Sequence, residues 1–148
     1  MKRKKRILLA LKFIESPEHL LEKIQNMQID ADASLYLVHV IHDMPRMSFY
    51  SDAYRLWEEF RNTVVVEALK RMNSYIKKFS VRFTDIESLV DVGDPAEVIV
   101  RIADKLKADM LIIGNNPPKS KQHFIHHNTG SRIVQLSKKP VLSLYLGR

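Results

Sequence analysis

The sequence predicts an α/β fold with a single doubly wound, mostly parallel sheet of five strands and helices on both faces. Short apolar runs of strand length alternate with segments whose apolar residues recur at helical spacing, in the order β-α-β-α-β-α-β-α-β. Several runs are apolar at consecutive positions, which is typical of strands buried on both faces. Right-handed crossovers then place helices above and below the sheet.

The predicted strands are the apolar runs without helical spacing. The first is Ile7-Leu8-Leu9-Ala10-Leu11, and the fourth is a short run that stops at Gly114. The third is the weakest in pattern. The five predicted strands cover residues 7–11, 34–41, 86–92, 110–113 and 141–146.

Helix start signals place the predicted helices. Ser16 and Asp94 can each cap a helix, and each precedes a proline at the first helical position, where a missing N–H costs nothing. Glu97 follows Asp94 at the spacing of a capping box. The predicted helices cover residues 16–27, 52–78, 94–107 and 130–137. We expect the long second helix to bury the apolar face Leu56, Phe60, Val64, Leu69, Met72 and Ile76.

Length and composition limit the class of protein. A chain of 148 residues suits one domain, so we expect residues 1–148 to form a single domain with residues 1–6 as a basic tail. Because there is no cysteine, a disulfide scaffold and a thiolate metal site are excluded. No apolar run approaches the roughly 20 residues that span a bilayer, and the N-terminus lacks a signal-peptide pattern. We therefore expect a cytoplasmic protein without membrane insertion.

The positive charge is concentrated at one end of the chain. Five of the seven net charges lie at residues 2–6, so the rest of the chain carries only two. A basic tail attracts polyanions without recognising sequence, and no aromatic stacking platform or nucleic-acid motif accompanies it. The sequence therefore does not favour nucleic acid as a partner, and we expect the tail to be a solvated lead into the first strand.

The last third of the chain carries a recognisable succession of segments. A capped helix start is followed by a buried strand ending in glycine, a second helix start and a final strand. These segments are Gly93-Asp94-Pro95-Ala96-Glu97, Ala108-Asp109-Met110-Leu111-Ile112-Ile113-Gly114, Gly130-Ser131 and Lys139-Pro140-Val141-Leu142. The succession resembles the universal stress protein family, and the resemblance extends over nearly the whole chain. It implies an adenine nucleotide alpha hydrolase-like fold with strand order 3-2-1-4-5.

A ligand site is predicted where the winding of the sheet reverses. Ligands of doubly wound sheets bind outside the carboxyl ends of the strands at this point, which here are Leu11-Lys12 and Ile113-Gly114. The nucleotide contacts predicted by position are Leu11, Lys12, Val40, Gly114, Gly130 and Ser131. Two simpler interpretations stay open, because isolated glycines are weak signals. Gly114 could be a strand-to-loop turn, and Gly130-Ser131 a plain helix start.

The phosphate-binding motif that the resemblance implies is damaged in this chain. ATP-binding members have a loop of the form G-x2-G-x9-G-[ST] after the fourth strand and an aspartate just after the first. Here Pro117 replaces the second glycine, and twelve residues rather than nine separate it from Gly130. Proline has no N–H and cannot take a positive φ. Lys12 replaces the aspartate, and an ammonium group cannot accept a hydrogen bond from a ribose or adenine.

The resemblance implies a dimeric stress-response protein that acts by interaction, and the departures from the motif predict that it does not bind ATP tightly. No catalytic residue, metal or resident cofactor is predicted. The alternative is a nucleotide-binding switch or slow ATPase, in which Lys12 and a modified loop hold the phosphates of ATP or AMP as point charges and backbone donors. Whether the chain is an enzyme stays open.

Histidines outside this motif have simpler explanations. His123, His126 and His127 could share a helical face and a metal ion, but no acidic or cysteine ligand accompanies them. A solvated loop, or one that binds a small anion at mildly acidic pH, is the alternative. His39 is expected to be a core histidine with its hydrogen bonds satisfied.

The last predicted strand indicates a protein partner. It starts at Val141, ends at Leu146 and has no charge or proline, although it lies at an edge of the sheet. An uncovered edge of this kind invites pairing with another chain. A second copy across a two-fold axis would cover it, and the resemblance also implies dimers paired through this strand. We therefore expect a homodimer.

Overall fold

The computed structural model describes residues 3–13, 16–43, 52–115 and 129–145. The strands are β1 Arg6–Ala10, β2 Ser34–His42, β3 Asp85–Gly93, β4 Met110–Asn115 and β5 Val141–Tyr145. The helices are α1 Pro17–Gln25, α2 Asp52–Phe79, α3 Pro95–Leu106 and α4 Thr129–Leu136. The predicted order of elements is confirmed, with boundaries that differ by only a few residues.

The five strands form one sheet in the order β3-β2-β1-β4-β5, and all four neighbouring pairs are parallel. The chain first winds from β1 outward to β3 and then returns to β4 on the other side of β1. The winding therefore reverses between β1 and β4, as predicted. The two edge strands are β3 and β5.

Each face of the sheet is covered by two helices. On one face, Ile7 and Leu9 pack in a buried cluster with residues of α1 and α2, including Ile24 and Met72. On the other face, Leu8 packs in a second cluster with residues of α3 and α4. Because neighbouring residues of β1 point to opposite faces, both sets must be apolar. This requirement explains the uninterrupted apolar run at the start of the chain.

The buried face of α2 differs from the predicted one. Leu56 and Phe60 are 53% and 55% exposed, and Leu69 is also exposed. The residues that bury are Ala68, Met72, Tyr75 and Phe79. Their spacing of four, three and four residues follows the helical period closely. The prediction was right for Met72 and for Val64 and Ile76, which pack partly buried against the same cluster. It was wrong for Leu56, Phe60 and Leu69, because it selected large apolar side chains and overlooked Ala68. Leu69 lies about 100° around the helix from Ala68.

The N-termini of α1 and α3 are capped as the sequence predicts. The Ser16 side chain accepts a hydrogen bond from the His19 N–H at 3.2 Å, and the Asp94 carboxylate accepts one from the Glu97 N–H at 3.1 Å. The predicted capping box is only half formed. The Glu97 carboxylate lies 3.8 Å from Arg132 Nη2, which draws it toward α4.

The described part of the basic tail is attached to the fold. Arg3 forms a 2.7 Å ion pair with Asp109, whose second carboxylate oxygen accepts a 2.8 Å hydrogen bond from the Arg6 N–H. Lys4 lies 4.0 Å from Asp85. Residues 3–5 are exposed, as expected of a solvated lead, and these ion pairs also attach Arg3 and Lys4 to the fold. Among the described residues, no helix combines the length and the apolar composition needed to cross a bilayer.

Candidate functional site

A cavity of about 370 Å³ opens at the carboxyl ends of β1, β2 and β4, where the winding of the sheet reverses. The first turns of α3 and α4 form its other walls. The residues that line it are Ala10, Leu11, Lys12, His39, Val40, Pro95, Ile99, Ile113, Gly114, Thr129, Gly130 and Ile133. This is the position at which doubly wound sheets bind their ligands.

Five of the six residues predicted as nucleotide contacts lie together in this lining. Leu11 and Lys12 follow β1, Val40 lies in β2, Gly114 is the next-to-last residue of β4 and Gly130 lies in the first turn of α4. Ser131 is exposed in the same turn and is not among the described residues that line the cavity. The geometry therefore assembles the predicted set, with Ser131 at its border. Their role in binding a nucleotide stays a prediction.

His39 belongs to this site, although the sequence placed it only in the core. Its ring stacks on the Phe13 ring, with centroids 4.0 Å apart and an interplanar angle of 26°. His39 also lines the cavity. Its position offers a signal, because His39 lies near the carboxyl end of β2, and β2 lies next to β1. The other lining residues missed by sequence analysis are apolar or small, and their composition gives no such signal.

The protonation state of His39 follows from its surroundings. Its Nδ1 lies 2.7 Å from the Leu11 carbonyl oxygen. Because a carbonyl oxygen can only accept a hydrogen bond, Nδ1 carries the hydrogen and donates this bond. In the neutral ring, Nε2 is then a hydrogen-bond acceptor. Burial lowers the pKa of His39 below its ordinary value, and the positive charge of Arg71 lowers it further, against the opposing effect of the Leu11 hydrogen bond. The ring is therefore neutral at pH 7.

The described residues that line the cavity include few titratable groups. Lys12 and His39 are the only titratable residues in the described lining, and none of the described lining residues is a carboxylate. Most of the wall is apolar, as in pockets that hold the flat body of a small ligand. Lys12 supplies one positive charge and only hydrogen-bond donors. The described lining contains no nucleophile adjacent to a base.

An ion-pair cluster holds α3 and α4 together beside the cavity. Arg132 Nη1 donates to Asp94 Oδ1 at 2.7 Å, and Arg132 Nη2 lies 3.8 Å from the Glu97 carboxylate. The hydrogen bond from Arg132 lowers the pKa of Asp94, and the Glu97 N–H also contributes to that shift. Asp94 therefore acts as a helix cap and an anchor, in agreement with its predicted structural role.

Some predicted features lie outside the described residues. These are Pro117, the greater part of the long loop after β4, and the three histidines His123, His126 and His127. Within the described part of the chain, no group of three or more histidine, cysteine or acidic residues could hold a metal ion.

Comparison with known proteins agrees with the fold. The family model described as "Universal stress protein family" matches residues 4–144. Universal stress protein A homolog 2 of Coxiella burnetii is 28% identical over 143 residues, which cover 95% of this chain and 94% of that protein.

Two solved structures share the fold. Universal stress protein UspA from Lactobacillus plantarum has a TM-score of 0.75 at 16% identity and covers 97% of this chain and 99% of its own. The universal stress protein from Archaeoglobus fulgidus in complex with dAMP has a TM-score of 0.59 at 17% identity, with 97% and 98% covered. Because the family model covers nearly the whole sequence, this chain belongs to the universal stress protein family.

Proposed function

We propose that this protein is a dimeric universal stress protein that acts through its surfaces and does not hold ATP tightly. The observation that carries the proposal is the position of Lys12, which follows the carboxyl end of β1. Among the described residues that line the cavity, Lys12 has the only charged side chain. The cavity, the pairing of two chains and the location of the protein each have a separate physical basis.

Lys12 lacks the side-chain acceptor that the aspartate of ATP-binding members offers at this position. Ribose hydroxyls and the adenine amino group donate hydrogen bonds, and Lys12 can only donate. When such a polar group of the ligand enters the site without a partner, its desolvation penalty is not compensated and binding is weaker. At about 370 Å³ the cavity is also near the lower end of the range for small-molecule sites. Both features support weak binding of a whole ATP molecule.

A second candidate function is a nucleotide-binding switch that uses a modified phosphate site. The cavity is open and largely apolar, and the universal stress protein from Archaeoglobus fulgidus was solved in complex with dAMP. Lys12 offers a point charge to a phosphate group. A monophosphate such as AMP needs fewer phosphate donors than ATP, so it is the nucleotide that this candidate favours. A slow ATPase would need the loop after β4 to supply further donors.

Retention of nucleotide separates the two candidates. Purified protein is denatured and its released small molecules are identified by mass spectrometry, and the melting temperature is then measured with and without ATP and magnesium. Without tight binding, we expect no stoichiometric nucleotide and no shift. A ligand at about 100 times its dissociation constant would add about 2.7 kcal/mol to the free energy of unfolding. A response of that size to ATP would contradict the first candidate.

Substitution of Lys12 tests whether this residue causes the weak binding. Lys12→Asp introduces a hydrogen-bond acceptor at the cavity, so the thermal response to ATP should increase. Lys138→Asp makes the same charge change before β5, at the amino-terminal edge of the sheet, and should leave the response unchanged. If both variants respond alike, net charge rather than the residue at position 12 controls binding.

Pairing of two chains through β5 is supported by a contrast between the two edge strands. The edge strand β3 carries the acidic residues Asp85, Glu87 and Asp91, and charges discourage pairing with another strand. The edge strand β5 carries none in Val141–Tyr145, and Leu142 is 38% exposed. A second copy would bury this edge in an isologous contact. The segment proposed for pairing extends to Leu146, which lies outside the described residues.

The cytoplasm is the proposed location, and protein rather than nucleic acid is the proposed macromolecular partner. Arg3 and Lys4 already face Asp109 and Asp85, so part of the charge at the N-terminus is compensated within the fold. Deletion of residues 2–5 tests the alternative. Binding of nucleic acid that survives this deletion would show recognition by the folded surface.

A further inference from the structure

We propose that Arg71 of α2 is a positioning residue for the ligand cavity, because it holds the turn after β1 and thereby fixes Lys12 at the cavity wall. This inference rests on the second candidate function, in which Lys12 binds the phosphate of a nucleotide. The residue that fixes the position of the Lys12 charge would then be Arg71 of α2. Arg71 is not among the described residues that line the cavity.

The residue on each side of Lys12 is fastened by a side chain from another element. On one side, the Leu11 carbonyl accepts the 2.7 Å hydrogen bond from His39 of β2. On the other side, the Phe13 carbonyl accepts a 2.6 Å hydrogen bond from Arg71 Nη2. The Lys12 backbone is therefore held between two anchors, one from the sheet and one from α2.

The same side chains form a continuous stack. The His39 ring lies 4.0 Å from the Phe13 ring, and the Arg71 guanidinium carbon lies 5.1 Å from the centroid of the Phe13 ring. Arg71 thus contacts Phe13 twice, by a hydrogen bond to its carbonyl and by a cation–π contact to its ring. The Tyr75 ring, one helical turn further along α2, lies 5.4 Å from the Phe13 ring and closes the stack.

The turn requires this support because its backbone is in an unfavourable conformation. Phe13 has a φ of 60°, which places a bulky non-glycine residue in the left-handed region. Such a conformation persists only where the surroundings over-determine it. Arg71, His39 and the buried Phe13 ring provide that restraint. When Arg71 is removed, the turn can relax, and Lys12 then loses its fixed position relative to the cavity.

A double-mutant cycle distinguishes positioning from a general effect of charge or stability. The probes are dAMP and 2′-deoxyadenosine, which differ only by the phosphate. Arg71→Met should weaken dAMP binding by about threefold to tenfold, a typical coupling between residues that share a network. It should leave 2′-deoxyadenosine binding unchanged. In a Lys12→Met background, Arg71→Met should have no further effect on dAMP.

Two matched variants complete the design. Arg71→Lys keeps a cation that can donate a hydrogen bond, and should retain part of the dAMP affinity that Arg71→Met loses. Arg55→Met removes another exposed arginine from the same helix and should behave like the unchanged protein. Equal loss of dAMP affinity from Arg71→Met with and without Lys12 would overturn the inference, as would equal weakening of both probes.

Amide hydrogen exchange gives a readout that does not depend on any ligand. In Arg71→Met, the peptide that contains residues 10–13 should exchange faster than in Arg55→Met, including the Leu11 N–H, which donates to the Val38 carbonyl at 2.8 Å. Unchanged exchange would overturn the positioning role. If the unchanged protein does not bind dAMP, the nucleotide switch fails, while the exchange result still decides whether Arg71 holds the turn.

Discussion

Arg132 Nη1 lies 2.7 Å from Asp94 Oδ1, so one side chain of α4 binds the residue that caps α3. Both helices contribute walls to the cavity, through Pro95 and Ile99 of α3 and Gly130 of α4. The Asp94–Arg132 contact therefore fixes the distance between two walls of the site. Asp94 has two roles that can be separated, since one oxygen accepts from the Glu97 N–H and the other from Arg132.

Substitution of Asp94 should separate the cap from the ion pair. Asp94→Ala removes both, and we expect it to lower the free energy of unfolding by about 0.5–2 kcal/mol, the usual range for loss of an N-cap. Asp94→Asn keeps a good capping residue and removes the charge, so its effect should be smaller. Urea unfolding of both variants provides the measurement. An equal effect would show that the ion pair dominates.

The same aspartate should contribute a pH dependence at the acidic end. Its pKa is lowered in the folded state, first by the Arg132 hydrogen bond, so its stabilising effect is complete above the ordinary value of 3.8. The effect is lost as the pH falls through the lower folded value. We expect the unfolding free energy of the unchanged protein to drop more steeply below about pH 4 than that of Asp94→Asn. Parallel curves would contradict this assignment.

Gly93 should not tolerate a larger residue. A Cβ at this position would lie 2.8 Å from Val98 Cγ2, a side-chain atom of a buried residue in α3. We expect Gly93→Ala to lower the free energy of unfolding by about 1–3 kcal/mol, as overpacking usually does. Val98→Ala removes the clashing methyl groups and is destabilising on its own through lost packing. The double variant should cost less than the sum of the two, as measured by chemical unfolding. Additive losses would show that the backbone conformation of Gly93, and not the contact, sets the cost.

His39 should make the protein less stable under mildly acidic conditions. Because burial lowers its folded pKa, the unfolded chain binds a proton first as the pH falls below the ordinary value of 6.5. Stability should therefore decline from about pH 6.5 until the lower folded pKa is reached, and change no further below it through this group. His39→Gln keeps a donor for the Leu11 carbonyl and does not titrate, so the difference between the two unfolding curves isolates the histidine. A constant difference over this range would contradict the lowered pKa.

The sheet was predictable because strand periodicity and capping chemistry are local signals. The uninterrupted apolar run of β1 indicates burial on both faces, and Asp94-Pro95 marks the start of α3 whatever the rest of the fold does. The buried face of α2 was not predictable in the same way. Its 28 residues carry apolar side chains on several faces, and only packing against the sheet selects Ala68 and Met72 over Leu56 and Phe60.

The candidate site was partly predictable for a related reason. The carboxyl ends of parallel strands meet at one edge, so Leu11, Val40 and Gly114 could be brought together from topology alone. The His39–Phe13–Arg71 stack could not, because its two contacts join residues 26 and 58 positions apart through ring orientation and a left-handed residue. Sequence spacing contains no information on either.

The last prediction concerns the proposed pairing through β5. Leu142 is 38% exposed on this uncharged edge strand, so Leu142→Lys places a charge where a second chain would pair. We expect the unchanged protein to have the mass of two chains in light scattering, and Leu142→Lys to shift it toward one. Val81→Lys is the matched control, because Val81 is 80% exposed and follows α2, away from β5. Circular dichroism spectra that coincide for all three proteins would show that the fold is retained. A dimer that persists in Leu142→Lys would contradict pairing through this strand, since a lysine on an edge strand discourages pairing with another strand.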